Sequence, residues 1–322
     1  IDVVFNYGLF SFNTPNFIFR FSLGETDYQL GATDYERFAA EYAFFGRSVW
    51  QQTLNLTDEE KTELIRLLQE NYRPENRVYR YNFFYDNCAT RPRDKIEESI
   101  AGKVIYPAEP QDGSLTFRDI VHQYCKGHPW ARFGIDLCIG SEADQPITQR
   151  QMMFAPFYLM DAFDGAQIKG DSIQRPLITA NELVVDATPE PDESDWMPTP
   201  LQCSLLLFIL TAAATIYGIR RRTGLWGIDL FLFGIAGIVG CVLAFLALFS
   251  QHPAVNSNFL LLVFHPGQLL FLPYIIYCVR KGKKCWYLTL NLAVLTLFIV
   301  LFPVIPQRFD FAVVPLALVL LI

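Results

Sequence analysis

The chain has 322 residues, 52% of them hydrophobic, and a net charge of −7. The charge is unevenly spread: eight of the 26 basic and two of the 33 acidic residues lie from Pro198 onward, which leaves −13 on the stretch before it. An acidic front part excludes nucleic acid as a partner, because phosphate binding needs clustered Lys and Arg, and the length allows more than one domain with its own core.

Residues 2–12 and 16–22 read as two strands joined by the turn-type cluster Asn13-Thr14-Pro15. Residues 34–45 read as a helix and 47–56 as a strand. Thr57-Asp58-Glu59-Glu60 is a capping box, with Thr57 as the cap and Glu60 bonding back. The helix it opens runs to about Gln69, with Leu64, Leu67 and Leu68 on its apolar face. Residues 77–85 are aromatic and strand-like. Asp86-Asn87-Cys88-Ala89-Thr90 then leads into a helix over 91–100, where Pro92 fits because first-turn positions need no backbone donor. Ser114 or Thr116 caps a helix to about Cys125, and another helix is expected around 149–162. Residues 186–200 are a Pro- and acid-rich linker, with Trp196 expected at a membrane interface.

Four apolar runs follow: 201–219, 225–250, 259–279 and 286–302. About 20 apolar residues span a bilayer, so each is a candidate span. A fifth run, 311–322, is too short to cross and reads as part of a span. A soluble helical core is the poorer reading, since soluble helices are rarely apolar all round. The basic clusters Arg220-Arg221-Arg222 and Arg280, Lys281, Lys283, Lys284 fall in alternate loops, which the positive-inside rule assigns to the cytoplasm. The expected organisation is an extracytoplasmic domain over 1–185, a linker over 186–200 and a transmembrane domain over 201–322, with four complete spans and a partial fifth. An outside domain requires export. Ile1-Asp2-Val3-Val4 reads like the middle of a strand, so the natural chain is expected to begin earlier.

Cys88 carries the expected chemistry. It follows a strand and precedes a helix, where unpaired backbone donors lower a thiol pKa toward neutrality. Arg91 and Arg93, one turn on, are expected to push the same way. This is how a cysteine nucleophile is prepared. The competing reading is a buried, inert cysteine. A nucleophile of this kind wants a histidine, and there are four. His122 and His128 read as surface or capping residues. His252, with Asn256, lies in the outer loop between the second and third runs, where both could line a shared site; simple loop polarity is the alternative. His265 lies inside the third run, and polar groups at that depth tend to be functional. Cys125 and Cys138 are a possible disulfide in an oxidising compartment. No metal-ligand spacing, phosphate loop or serine elbow occurs, so no metal or cofactor is expected.

Several short stretches fall in a recognisable order: Asn6-Tyr7-Gly8, Gly24 with Asp27-Tyr28, Leu54-Asn55-Leu56-Thr57, Tyr81-Asn82-Phe83-Phe84, Asp86-Asn87-Cys88-Ala89-Thr90-Arg91, Thr116-Phe117-Arg118-Asp119 and Pro129-Trp130. Together they resemble the periplasmic domain of the Lnb family, the Bacteroides-type lipoprotein N-acyltransferases. His252-Pro253 with Asn256 and Asn258 resembles the outer-loop pattern of the same family. The resemblance implies an α+β fold, a permuted NlpC/P60-like, papain-related extracytoplasmic domain followed by a multi-span helix bundle in the bacterial cytoplasmic membrane. It implies Cys88 as the nucleophile, with Asn87, Thr90, Arg91, His252 and Asn256 as supporting residues. It implies a thioester route in which Cys88 takes an acyl chain from a phospholipid and passes it to the N-terminal amine of a diacylglyceryl-cysteine lipoprotein. The family's catalytic histidine belongs to a Gly-His motif before the Asn-Tyr-Gly stretch, so the general base is expected upstream of Ile1. A cysteine peptidase or amidase acting on cell-wall peptides is the alternative that the same fold supports.

Overall fold

The computed structural model describes residues 2–10, 13, 15–108, 113–170, 174–187 and 197–322. In chain order the first elements are β1 (Val3–Leu9), α1 (Phe17–Leu23), β2 (Asp27–Asp34), α2 (Tyr35–Phe44), β3 (Val49–Leu54), α3 (Asp58–Tyr72), β4 (Val78–Arg80), α4 (Thr90–Ser99), β5 (Lys103–Ile105) and α5 (Phe117–Tyr124). There follow α6 (Pro129–Cys138), α7 (Gln149–Met152), α8 (Pro156–Asp164), β6 (Gln167–Lys169), β7 (Gln174–Pro176) and β8 (Ile178–Val185). The apolar part holds α9 (Pro200–Arg221), α10 (Trp226–Phe249), α11 (Pro266–Leu270), α12 (Leu272–Lys281), α13 (Trp286–Leu301) and α14 (Val313–Leu321). The architecture is α+β followed by apolar helices, as expected.

Packing divides the chain differently from its sequence boundary. One unit takes residues 1–120 and 146–195; the other takes 121–145 together with 196–322. A stretch expected in the front domain therefore packs with the apolar helices.

In the first unit the strands form small antiparallel sheets, ordered β1-β2-β4, β3-β8 and β5-β6-β7. The alternation of Tyr28 and Leu30 on β2 puts both inward, where they pack with Tyr7 and Tyr79. The Thr57–Glu60 capping box forms as the sequence predicts, with Glu60 N donating to Thr57 Oγ1 at 3.3 Å and Thr57 N to Glu60 Oε2 at 2.9 Å. Glu60 is also buried (3% exposed) and ion-paired with Arg175 on β7, so one carboxylate ties α3 to a distant strand.

Several elements depart from expectation for identifiable reasons. The predicted strand over 16–22 is α1. Its Phe and Ile content favours strands, but Phe17 and Phe21, one turn apart, stack at 6.2 Å. Gly24 at φ 74° then closes the helix, donating to Phe21 O and Arg20 O. The helix around 149–162 is split into α7 and α8. Ala155 precedes Pro156 and is extended at φ −94°, ψ 130°, because a following proline disfavours the helical region. The strands β2, β5, β6, β7 and β8 were not among the predicted elements. Trp196 and part of the linker lie outside the described residues.

The second unit contains two helices long and apolar enough to cross a membrane, α9 and α10. α12 and α13 meet the same test together, bent by 113° at the basic turn between them. The run over 259–279 is not one helix. It breaks into a 3-10 turn (Phe259–Leu262), α11 and α12, and His265 sits just before Pro266 in an extended conformation at φ −140°, ψ 153°. Gly237 and Gly240 let α10 approach this broken stretch closely: a Cβ at Gly240 would lie 2.4 Å from His265 N, and one at Gly237 2.5 Å from Leu269 N.

The two basic turns lie at one end of this unit, where the Arg280 guanidinium stands 5.3 Å over the Trp226 ring. The connections at the other end are knitted to the 121–145 stretch. Asn258 Nδ2 donates to Leu137 O at 2.7 Å, and Gln307 Nε2 donates to Ile139 O at 3.2 Å and Asn258 Oδ1 at 3.1 Å. Arg308 pairs with Asp144 at 3.1 Å and Arg132 with Asp310 at 3.4 Å. Gly140 N donates to Ala254 O at 2.7 Å, and a Cβ at Gly140 would lie 1.9 Å from Asn256 O. Gly140→Ala therefore forces backbone apart. It is expected to cost about 2 kcal/mol, the scale of overpacking a close contact, read as a lowered thermal midpoint of the detergent-solubilised protein.

Candidate active site

The stretch around Cys88 is a tight turn built from its own side chains. Asn82 Oδ1 accepts from Phe84 N at 3.2 Å and Tyr85 N at 3.3 Å, and the backbones of Asn82 and Asp86 pair at 2.9 Å in both directions. Beneath it, the Phe84 ring stacks on Phe117 at 4.2 Å and meets Phe154 edge-on at 5.1 Å. Phe117 enters through a second capping arrangement, in which Asp119 N donates to Thr116 Oγ1 at 3.1 Å and Thr116 N to Asp119 Oδ2 at 3.0 Å. The Thr116-Phe117-Arg118-Asp119 stretch thus supplies the floor of the Cys88 turn.

Asn87 is the pivot. It is 4% exposed, and its side chain makes four bonds. Oδ1 accepts from Ala89 N at 2.8 Å and Thr90 N at 3.0 Å, which caps the start of α4. Nδ2 donates to Phe83 O and Phe154 O, both at 2.9 Å. Thr90 Oγ1 in turn accepts from Asn87 N at 2.8 Å. Arg91 reaches back across the turn to Asp86 with two bonds of 2.6 and 2.7 Å, and its guanidinium lies 3.9 Å over the Tyr79 ring. Cys88 is left at the apex as an exposed free thiol. Asn87, Cys88, Thr90 and Arg91 are therefore one assembly, with β1 alongside: a Cβ at Gly8 would lie 3.7 Å from Cys88 Cβ. Asn6 Oδ1, accepting from Gly8 N at 2.9 Å, shapes β1 at this point.

The expected depression of the thiol pKa does not occur. Although the residue is accessible, protein crowds its other sides, and this partial burial pushes the Cys88 thiol above its ordinary value; a hydrogen bond involving its own backbone pulls the other way. The cause is that the sources of positive potential are already engaged. The amides at the start of α4 are capped by Asn87, Arg91 is held by Asp86, and Arg93 is held by Asp94 and Arg150 O. Alkylation of Cys88 by iodoacetamide is therefore expected to accelerate as pH rises, with a midpoint above the roughly 8.5 of a free cysteine. The sign follows because a raised thiol pKa keeps the unreactive protonated form through neutrality. A midpoint below 8 in the pH–rate profile would contradict this.

Tyr7, Tyr28, Tyr79 and Tyr81 surround the site. Burial pushes the Tyr7 phenol up to about 12 and raises Tyr28, Tyr79 and Tyr81, and charge at Cys88 adds to the rise in the last three. These phenols stay neutral at physiological pH, so they are hydrogen-bond donors rather than bases. Tyr7, Tyr28 and Tyr81 lie in stretches that carry the family resemblance, but the sequence alone assigns none of the four a role at the site.

The four histidines all fall in the second unit. His252 is 4% exposed, at the start of a 3-10 turn (Pro253–Val255), and Asn256 follows that turn on the surface. His122, partly exposed, points Nε2 at the buried Asp136 carboxylate at 2.8 and 3.0 Å. It lines a cleft of about 800 Å³ with Pro129, Arg132 and Phe309. His128 precedes α6 without a side-chain cap bond. Cys125 and Cys138 are both free. No cluster that would hold a metal ion occurs among the described residues.

Comparison with known families matches two descriptions. Residues 2–122 match the Lnb N-terminal periplasmic domain and residues 192–322 the Lnb transmembrane domain. No curated protein and no solved structure matches the chain.

Proposed function

This chain belongs to the Lnb family, as a membrane protein with a periplasmic domain, and on that premise we propose that it is a lipoprotein N-acyltransferase working through a thioester on Cys88. The observation that carries this reading is the Cys88 turn itself: an exposed thiol at the apex of a turn held by four bonds from one buried asparagine. Such rigidity fixes the direction of attack, which is where much of the benefit of a positioned nucleophile lies.

In the first half-reaction, Cys88 Sγ attacks the ester carbonyl carbon of a phospholipid. The S–C bond forms, the C–O bond breaks, and the lysophospholipid hydroxyl leaves with a proton. In the second, the N-terminal amine of a diacylglyceryl-cysteine attacks the thioester carbonyl. A C–N bond forms, the C–S bond breaks, and the thiol is regenerated. Because burial keeps the thiol protonated near neutrality, a base has to take its proton as Sγ attacks. Neutral phenols from Tyr28 and Tyr81 are suited to donate to the oxyanion that develops on the carbonyl oxygen.

The protein is proposed to be multi-pass in the bacterial cytoplasmic membrane, with the basic turns at 220–222 and 280–284 inside. Both substrates then lie in the outer leaflet. His252 and Asn256, on the loop between α10 and the broken stretch, are proposed supporting residues for the acceptor. Hydrolysis of cell-wall peptides by a papain-related, NlpC/P60-like domain is the second reading. An apolar anchor as extensive as α9 to α14 favours a lipid substrate over a wall peptide, and exclusion of water favours transfer over hydrolysis. Mass spectrometry of lipoprotein N-termini from cells with and without the gene tests the proposal. N-acylated cysteine only with the gene supports it, and identical N-termini overturn it.

A further inference from the structure

A row of aromatic rings leads away from Cys88. Tyr81 stacks on Tyr28 at 4.1 Å, Tyr28 on Phe10 at 4.8 Å, Phe10 on Phe17 at 5.3 Å, and Phe17 on Phe21 at 6.2 Å. The near end belongs to the site: charge at Cys88 is felt at both Tyr28 and Tyr81, and Gly8, two residues before Phe10, abuts Cys88. The far end is α1, where Ile18 is 79% and Phe19 55% exposed. Phe10 itself is 41% exposed, so this row is not a core stack sealed from solvent. Tyr28 is 9% exposed and packs in the core, so the rings form one apolar row whose Tyr28 and Tyr81 end lies beside the nucleophile and whose Phe10 and α1 end opens to the outside.

We propose that Phe10 and Phe17, between Tyr28 and the exposed helix α1, are the acyl-chain specificity residues, the fatty chain carried on Cys88 lying along this aromatic row. The inference rests on the thioester reading above. The occupant is set by continuity: a chain esterified to Sγ must leave the site along whatever apolar surface adjoins it, and this row adjoins it on the β1 side. Each buried methylene contributes about 0.8 kcal/mol, or roughly fourfold in rate when it is gained in the transition state. A long chain is therefore captured far better than a short one.

The test uses the full chain in nanodiscs with two activated esters, 4-nitrophenyl acetate and 4-nitrophenyl dodecanoate. In each case Sγ displaces 4-nitrophenolate, and the Cys88 thioester is read by intact mass. The native chain is expected to be acylated at least tenfold faster by the dodecanoate. In Phe10→Ser/Phe17→Ser the dodecanoate rate should fall about tenfold while the acetate rate stays within twofold, which also reports that the turn is folded. An unchanged dodecanoate rate, or an equal fall for both esters, overturns the aromatic row as the acyl site and leaves the nucleophile standing. Failure of both esters to label Cys88 in the native chain overturns the thioester reading and this inference with it.

Discussion

Cys88→Ala is expected to abolish N-acylation of lipoproteins while leaving the protein folded in the membrane. The residue is exposed at the apex of its turn, and its side chain contributes nothing to the hydrogen bonds that hold that turn: those come from Asn82, Asn87, Thr90 and Arg91. Replacing the thiol by a methyl removes the only atom in the turn able to form a thioester. Loss of a nucleophile in an assembly of this kind typically costs a thousandfold or more in rate. In cells carrying only the variant, lipoprotein N-terminal cysteines should keep free amines, at an unchanged amount of the membrane protein. Persisting N-acylation in those cells would make Cys88 a bystander.

The second large effect is expected at Asn87. Its amide oxygen and nitrogen each serve two backbone partners, and the side chain is almost wholly buried. Asn87→Ala strands two carbonyls, Phe83 O and Phe154 O, and two amides at the head of α4. An unsatisfied buried group costs about 1–3 kcal/mol, and relaxation recovers part of it, so a loss of about 4 kcal/mol is expected. Activity should fall with it, because the turn that aims Sγ is no longer defined. Asn87→Asp separates the two halves of the role. It keeps the acceptors that cap α4 but turns a carboxylate toward two carbonyl oxygens. Stability should drop for both variants in thermal denaturation followed by tryptophan fluorescence, and a stable, fully active Asn87→Ala would show that the turn is held by something else.

What the sequence exposed best was whatever depends on short-range rules. The Thr57–Glu60 box, the helix after Cys88 and the basic ends of the apolar segments all follow from local spacing, and all are found where expected. Misread elements share a different cause. Residues 17–23 look like a strand by composition, and the structure instead has a helix there, bounded by left-handed conformations at Asn16 and Gly24. The short strand β5 owes its existence to pairing with β6 across a long sequence separation, which no local pattern carries, and β6 and β7 are too short to show a period of their own. The breaks at Ala155 and His265 were legible, since each precedes a proline, but hydrophobicity masked them.

The site divides along the same line. Asn87, Cys88, Thr90 and Arg91 could be proposed from the sequence because they are adjacent in it. The environment that sets their chemistry could not be, because it comes from elsewhere in the fold: Phe154 O accepting from Asn87, the packing of Tyr28 on Tyr81, and the phenylalanines beyond them. The thiol pKa went the other way for the same reason. Position at a helix start and two nearby arginines argue for depression, but only the three-dimensional partners reveal that the amides are capped and the arginines paired.

The most direct measurement is to trap the acyl-enzyme. The purified full chain is reconstituted with phosphatidylethanolamine of defined acyl composition, without any lipoprotein acceptor, and Cys88 is examined by intact and peptide mass spectrometry. The expected result is a mass increment equal to one acyl group on the peptide bearing Cys88, released by neutral hydroxylamine, discharged on addition of a diacylglyceryl-cysteine peptide, and absent from Cys88→Ala. An N-acylated acceptor peptide formed in the same membranes with Cys88 never carrying an acyl group, or formed equally by Cys88→Ala, would contradict it.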